Sequence, residues 1–506
     1  MVEQGEQMDF SPSRPARRLL IVAALVTGLA AAPLAAPSAA AAGAPDGIWQ
    51  TDGYASIIAI GNGKATAYET TGVSCTPATV YTWSGDRFAA PGQQGFTVEA
   101  RRDRASMRLE GSPGERRMRR LDKLPVRCTQ PGASGPLAVF DQFWAAYEEN
   151  YPFFAAKGID WKAVRAQYRP KVTRDMSDDA LFAVLTAMIA PLGDAHTAVR
   201  TPAGRTFGGS RPGTTIPDQA LEQQIRPYIE QTALGGRKLT SYANDLIGYT
   251  TLPGGIGYLR VIAFFGYDER ENYAAQRAAL DQAMDQIFAT EPRKLILDLR
   301  INGGGSDQLA LDLAGRLTDR PFFAYAKRAR NDPADPTSWT RPQAIHVQPA
   351  RHRRTFTGPL VLLTGGSQLS AGETFTQAVM NRKPAPYRIG QNTQGVFSDV
   401  LVRHLPNGWQ AVLPNEEFRT RSWTTYDGTG IPPHLRVPVF TPTELAAPGT
   451  PPSPQRSATC AESAVGLPRT AYRADRSGEP LSPPRVRPET WRVEFRTDRR
   501  AWMMRA

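Results

Sequence analysis

The stretch KLILDLRINGGGSD, residues 294–307, decides the fold because it joins an apolar strand to a glycine turn and the start of a helix. Its first half is almost continuously apolar, which is typical of a strand covered on both faces in a largely parallel sheet. The segment SDQLALDLAGRLT follows as a helix, GPLVLLTG as a strand, and SQLSAGE as a turn into another helix. Strands and helices that alternate at this spacing predict crossover units, and therefore an α/β core.

The rest of the chain divides into segments of different character around this core. Residues 44–130 alternate apolar and polar side chains between turn signals such as GNG, which predicts a small all-β domain, either a barrel or a sandwich. Residues 131–200 place apolar side chains at helical spacing and predict a helical subdomain. Residues 201–250 form a polar connecting segment, the core spans residues 251–442, and the Pro- and Arg-rich tail 443–506 is typical of disorder.

The N-terminus has the pattern of a secretory signal peptide. Arg14, Arg17 and Arg18 precede the apolar run LLIVAALVTGLAAAPLAA, and small residues follow it. The alternative is a membrane anchor, but Gly28 and Pro33 interrupt the run. We therefore expect residues 1–43 to be a signal peptide that is removed, so that the protein is exported and keeps no stable membrane anchor. Sec and twin-arginine export both remain open.

Composition limits the function classes. The formal net charge is +12, but residues 451–506 alone hold 11 Arg against six Asp and Glu. No basic cluster interleaved with aromatic residues occurs elsewhere, so nucleic-acid binding is not expected. Among the three cysteines, Cys75 and Cys128 are candidates for one disulfide in the N-terminal unit, which leaves Cys460. Three scattered cysteines without a C-x-x-C pair argue against a structural zinc site.

Two turns of the core carry candidate chemistry. The glycines of DLRINGGG (298–305) leave backbone N–H groups uncovered, and such groups bind anions or a developing oxyanion. The simpler interpretation is a tight turn between a strand and a helix. In TGGSQLSAGETF (364–375), Ser367 and Ser370 lie between a buried strand and a helix, where a serine is a candidate nucleophile or merely an N-cap.

The two motifs together resemble the tail-specific, or C-terminal processing, serine peptidases of family S41. The segments FDQFWAAYEENYPFF, GIDW and LGDAHT are similar to the tricorn-core-like branch of that family. The resemblance covers roughly residues 136–440, and it implies a crotonase- or ClpP-like spiral core and serine-type peptidase activity without a metal or organic cofactor. It implies Ser370 as the nucleophile, and an oxyanion hole made by the N–H groups of Ala371 and Gly304, with Gly305 as the alternative to Gly304.

The resemblance also implies a histidine base. One branch of the family uses a lysine about 25 residues after the serine, but residue 395 is Gly and the last lysine of the chain is Lys383. Lys383 would lie about 20 Å from Ser370 along a helix, which is too far for a dyad. The tricorn-like branch places its base where DAHT puts His196, and an imidazole accepts a hydroxyl proton at neutral pH.

The third member of the predicted triad departs from the family pattern. The motif that carries an orienting glutamate in the tricorn-like branch aligns with YDGTGIPPH (426–434), where Asp427 takes its place. An aspartate is one methylene shorter, and Glu416 and Glu417 are the alternative acids. Ala195 stands where tricorn has an assisting serine.

The expected substrate is a peptide or unfolded protein. No complete PDZ domain fits between His196 and the strand at 256, so specificity for C-termini does not follow. An oligomer is compatible with the sequence. The rival hypothesis is a non-catalytic carrier on the same fold, resembling the retinoid-binding repeats of the vertebrate eye.

Overall fold

The computed structural model describes residues 45–441 except Glu271, together with residues 444 and 445. The predicted signal peptide and almost all of the predicted tail therefore lie outside the described residues. No helix among the described residues is long and apolar enough to span a membrane.

The N-terminal unit is a closed antiparallel barrel. Its first and last strands pair with each other, with Ile48 opposite Leu121, so the sheet has no free edge. The alternating apolar residues point inward and fill the interior around Trp49, Phe88 and Phe96. A disulfide joins Cys75 to Cys128, beyond the last strand. The barrel strands are β1 (Gly47–Thr51), β2 (Ser56–Gly61), β3 (Lys64–Thr70), β4 (Cys75–Ser84), β5 (Arg87–Ala89), β6 (Phe96–Arg101), β7 (Arg104–Leu109) and β8 (Arg116–Leu121).

A helical layer follows the barrel. Pro136 occupies the first turn of the first helix, and the apolar stripe predicted there is buried at Val139, Phe140, Phe143 and Tyr147. These side chains pack on a four-stranded sheet of order β10-β9-β23-β22. The elements are α1 (Pro136–Asn150), α2 (Trp161–Tyr168), α3 (Asp178–Ile189), β9 (Ala198–Arg200), β10 (Thr206–Gly208), β22 (Val400–His404) and β23 (Gln410–Pro414), with 3₁₀ turns at Val126–Cys128, Arg169–Lys171 and Ala190–Leu192.

The core is a seven-stranded sheet with helices on both faces, in the order β11-β12-β13-β14-β19-β21-β25. Strands from β13 onward run parallel, as the apolar pattern of residues 294–298 predicts. Leu295 and Leu297 face one helical layer and Ile296 faces the other, which explains the continuous apolar run. The strands are β11 (Thr240–Tyr242), β12 (Ile247–Leu252), β13 (Ile256–Val261), β14 (Lys294–Asp298), β19 (Leu360–Thr364), β21 (Tyr387–Gly390) and β25 (Leu435–Arg436), and the helices are α4 (Gln219–Tyr228), α5 (Tyr273–Phe288), α6 (Asp307–Gly315) and α7 (Ala371–Val379).

A two-stranded parallel ladder matters most for the site. β15 (Ile301–Asn302) pairs with β20 (Ser367–Gln368), which sets the glycine turn beside the serine turn. The remaining elements are β16 (Phe322–Asp332), β17 (Asp335–Trp339), β18 (Gln343–Val347), β24 (Glu416–Arg419) and a π-helical turn at Ile229–Ala233.

The fold class predicted from the sequence is confirmed. An α/β core follows a helical segment and a small all-β domain, and that domain is a barrel rather than a sandwich. The large sheet begins before residue 251, because β11 lies within residues 201–250 and β12 starts there. Short antiparallel strands carry little apolar periodicity, so the sequence does not distinguish them from a loop.

Candidate active site

Ser370 stands at the junction between β20 and α7 in an unusual backbone conformation. Its φ is 55° and its ψ is −126°, a region that non-glycine residues rarely adopt. The backbone is held on both sides, because its N–H donates to Val396 O at 3.0 Å and its carbonyl accepts from Glu373 N at 2.7 Å. The hydroxyl does not cap the helix and has no partner among the described residues. The backbone is therefore fixed while the hydroxyl remains available for chemistry.

The motif DLRINGGG builds the glycine turn from internal contacts. Asp298 and Arg300 form a buried bidentate pair, with distances of 2.9 and 2.7 Å. The Asn302 side chain donates to Val261 O at 2.9 Å and accepts from Gly304 N at 3.0 Å. The side chains of Asp298, Arg300 and Asn302 therefore stabilise the conformation of the turn through these hydrogen bonds.

Gly304 lies directly against the serine. A Cβ added at Gly304 would be 2.5 Å from Ser370 Cβ and 3.1 Å from Ala371 N, and its φ is +77°. No side chain fits in this space, so only glycine allows the turn to approach the start of α7 so closely.

Two backbone N–H groups beside Ser370 are unoccupied. The N–H groups of Ala371 and Gly305 donate to no acceptor among the described residues, whereas Gly304 N–H is engaged by Asn302. The Gly304 carbonyl accepts from Phe264 N at 2.7 Å. Because a trans peptide sets N–H opposite C=O, the Gly305 N–H points away from Phe264. This geometry favours Gly305 over Gly304 as the partner of Ala371 in holding an anion.

His196 lies in a loop held by an aspartate. Asp194 accepts from His196 N at 2.9 Å through one carboxylate oxygen and from the Tyr151 hydroxyl at 2.8 Å through the other. Burial lowers the pKa of His196 below its ordinary value, while the charges of Asp194 and Asp399 raise it. The Nδ1 atom of the imidazole is buried without a hydrogen-bond partner among the described residues. The neutral imidazole is thus favoured, with one unsatisfied nitrogen.

Asp427 is also buried and only partly satisfied. Its Oδ2 accepts from Phe397 N at 3.2 Å, while its Oδ1 has no partner among the described residues. Burial and the charge of Asp194 raise the pKa of Asp427 well above its ordinary value, although Lys157 opposes them. The protonated form of the Asp427 carboxyl is therefore favoured relative to that of an exposed aspartate.

The alternative acids have other partners. Glu416 is fully buried, accepts from the Tyr54 hydroxyl at 2.5 Å and lies 3.2 Å from Lys327 Nζ. Glu417 accepts from Arg328 Nε at 2.7 Å. Both carboxylates therefore belong to ion pairs.

One segment, residues 394–399, connects these groups and is called the linking segment below. Glu373 accepts from Gly395 N at 2.7 Å and Val396 N at 2.8 Å, and Val396 O receives the Ser370 N–H. Phe397 N donates to Asp427, and the charge of Asp399 acts on His196. The segment therefore touches the surroundings of all three predicted triad residues. No hydrogen bond joins Ser370, His196 and Asp427 to one another in the described part of the chain.

Ser367 lies in the small ladder, where it pairs with Ile301. Sequence reasoning missed three carboxyl groups around the site. Asp194 holds the loop of His196, Glu373 holds the linking segment, and the charge of Asp399 acts on His196. Burial raises the pKa of Glu373 to about 8. Their only sequence signal is their position inside the segments LGDAHT, VFSDV and SAGETF.

In residues 45–441 no group of three or more His, Cys, Asp or Glu side chains is arranged to hold a metal ion.

Comparison with known proteins identifies the core. Residues 255–437 match the model of peptidase family S41, and residues 137–190 match that of the tricorn protease C1 domain. None of the curated proteins compared with the chain matches it. The chain therefore carries an S41 peptidase domain preceded by a tricorn C1-like segment, and it is a serine peptidase whose substrates are peptides or proteins.

One of three matching solved structures supports the fold, with a TM-score above 0.5. A proposed peptidase from Parabacteroides merdae ATCC 43184 is 21% identical, with a TM-score of 0.54 over 68% of this chain and 100% of that chain. Mature CPAF complexed with lactacystin is 12% identical, with a TM-score of 0.49 over 66% and 99% of the two chains. The tricorn protease is 14% identical, with a TM-score of 0.40 over 82% of this chain and 46% of that chain.

Proposed function

We propose that this protein is an exported serine peptidase in which Ser370, His196 and Asp427 form the catalytic triad. The observation that carries this proposal is the placement of Ser370. Its backbone is fixed in a rare conformation, and its hydroxyl is free beside two unoccupied N–H groups. Such an arrangement suits a nucleophile that attacks a carbonyl whose oxygen becomes negatively charged.

The reaction then follows from the positions of these groups. The Ser370 hydroxyl attacks the peptide carbonyl while His196 Nε2 takes its proton, and the N–H groups of Ala371 and Gly305 hold the oxyanion. His196 returns the proton to the leaving amine, and water releases the acyl group by the same route. We assign Nε2 to proton transfer because Nδ1 is the buried nitrogen, which leaves Nδ1 for the acid.

Asp427 is the proposed acid because its free oxygen matches the free nitrogen of His196. Each residue has one buried polar atom without a partner, and unpaired buried polar atoms are costly. A hydrogen bond between the two atoms would satisfy both, and in this proposal it forms when substrate binds. The positive imidazolium that forms during the reaction favours ionisation of the Asp427 carboxyl.

A fluorophosphonate probe tests the proposal directly. We expect the purified protein to be labelled covalently, and peptide mapping to place the label on Ser370. Absence of labelling in folded protein, or a label on another residue, would contradict the assignment. In that case retinol binding, followed by quenching of protein fluorescence, would test the rival carrier function.

The pH dependence of cleavage tests His196. The base must be neutral to accept a proton, and a lowered pKa keeps it neutral to lower pH. We therefore expect the acid limb of kcat/KM to have its midpoint below pH 6.5, the ordinary histidine value. Rates measured from about pH 4.5 to 8 with a fluorogenic casein would show this. Protein returned from each pH to neutrality must regain full activity, and a midpoint above 6.5 would argue against a buried histidine base.

Conservative amide substitutions test the acid. Asp427→Asn keeps the size and shape of the side chain, so we expect the fold to persist while kcat/KM falls by about 10²- to 10⁴-fold. Glu416→Gln and Glu417→Gln serve as controls, because their carboxylates pair with Lys327 and Arg328. The controls should change thermal stability more than kcat. If either control loses as much activity as Asp427→Asn in folded protein, the third member of the triad is misassigned.

Export rests on residues 1–43, which have the pattern of a signal peptide. The disulfide between Cys75 and Cys128 supports it, because such bonds persist in oxidising compartments.

A further inference from the structure

The loop between β7 and β8, residues 110–115, packs from the barrel onto elements around the proposed active site, and it is called the barrel loop below. It contacts the peptidase core at two points that flank the site and at a third that anchors the loop.

The first contact supports the glycine turn. Gly111 O accepts from Ser306 Oγ at 2.6 Å and from Gln308 N at 3.3 Å. The same hydroxyl caps α6 by accepting from Leu309 N at 3.1 Å. Ser306 directly follows Gly305, whose N–H is a proposed oxyanion donor. The barrel loop therefore holds the helix end that fixes the direction of this N–H.

The second contact supports the region of the base. Ser112 Oγ donates to Asp399 Oδ2 at 3.1 Å. Asp399 ends the linking segment and acts on His196 through its charge, and Lys327 lies 3.6 Å from its carboxylate. The charged groups that surround Asp399 come from four further elements and are Lys327, Arg116, Glu416 and Asp307.

The third contact anchors the loop without touching the site. The Gln343 side chain accepts from Glu115 N at 2.8 Å and donates to Glu115 O at 2.6 Å. Gly114 packs so closely that an added Cβ would lie 2.6 Å from Gln343 Oε1. The loop is therefore held in one position against the core, which a positioning element requires.

We propose that the barrel loop is a built part of the active site, which positions the glycine turn through Ser306 and the linking segment through Ser112 and Asp399. This inference rests on the proposed function. Ser112, Ser306 and Asp399 are positioning residues, because none of them is placed to touch the reacting atoms. Losing either contact should slow the chemical step and leave substrate binding nearly unchanged.

The test compares second-order rates of fluorophosphonate labelling, and kcat and KM for casein, in full-length variants. Ser112→Ala and Ser306→Ala should each lower the labelling rate and kcat by roughly fivefold to tenfold, with KM within about twofold. Ser112→Thr and Ser306→Thr keep the hydroxyl and should restore most of the rate. Glu149→Ala is the matched control, because it removes a contact between the barrel and α1, to Gly72 N at 2.7 Å, that involves neither the glycine turn nor the linking segment.

The pH profile separates positioning from general destabilisation. The charge of Asp399 raises the pKa of His196, so Asp399→Asn should move the acid limb to lower pH, which loss of packing alone would not do. Wild-type labelling combined with normal labelling of both alanine variants would overturn this inference and leave the proposed function intact. An equal loss in Glu149→Ala would also overturn it. If folded wild-type protein is not labelled, the proposed function and this inference both fail.

Discussion

We expect Ser370→Ala to lower kcat/KM for casein cleavage by about 10⁴- to 10⁶-fold and to abolish fluorophosphonate labelling. The nucleophilic oxygen is lost, and Ser367 lies in the ladder with Ile301 rather than at the start of α7. The fold should persist, since the Ser370 hydroxyl makes no hydrogen bond among the described residues. Alanine also keeps the Cβ that packs against Gly304.

Two further variants make this prediction specific. Ser367→Ala is the matched control and should retain at least about a third of wild-type activity. The double variant Ser370→Ala/His196→Ala should be no worse than the more damaged single variant, because members of a triad act as one unit. Additive losses in the double variant would mean that His196 acts independently of the serine. Residual cleavage by Ser370→Ala above one per cent of wild type would exclude Ser370 as the nucleophile.

The second large effect is expected at Gly304. Gly304→Ala places a Cβ 2.5 Å from Ser370 Cβ and 3.0 Å from Leu369 O, at a φ of +77° where alanine is strained. The turn and the start of α7 must separate, which moves the Ala371 N–H away from the Ser370 side chain. We expect kcat to fall by about 10²- to 10³-fold, the cost of losing an oxyanion donor. The free energy of unfolding should fall by about 2 kcal/mol.

Gly408→Ala is the control for backbone strain alone. Gly408 has a φ of +80°, and its added Cβ would meet only the Pro202 side chain, at 3.5 Å. In thermal unfolding, Gly408→Ala should lose about as much stability as Gly304→Ala does. Its kcat should stay at the wild-type value. If Gly304→Ala binds substrate and reacts with the fluorophosphonate probe as the wild type does, the glycine turn is not part of the oxyanion site.

Local patterns explain how much of the site the sequence predicted. A buried apolar strand followed by small residues and a helix is readable along the chain, so the turn at Ser370 and the glycine turn were predictable. The choice between Gly304 and Gly305 was not, because it depends on the orientation of one peptide plane. The role of Asp194 was not predicted, because its side chain accepts a hydrogen bond from the backbone of its own loop. Such local contacts have no characteristic spacing in the sequence.

Long-range contacts explain what the sequence could not predict. Ser112 and Asp399 are 287 residues apart in the chain, and no periodicity links them. The same holds for the burial that raises the pKa of Asp427 and lowers that of His196, which results from the packing of several elements. Alternating apolar segments were enough to predict the α/β core. The contacts of the barrel loop could be identified only from the tertiary structure.

The pairing of β1 with β8 has a consequence for how such proteins diverge. The chain enters and leaves the barrel on neighbouring strands, so the barrel is a unit that recombination between genes could exchange whole. The contacts of the barrel loop restrict that exchange, because a foreign barrel would bring a loop that does not fit Ser306 or Asp399. Barrel and peptidase core should therefore be inherited as a matched pair, with coordinated substitutions on the two sides of this boundary.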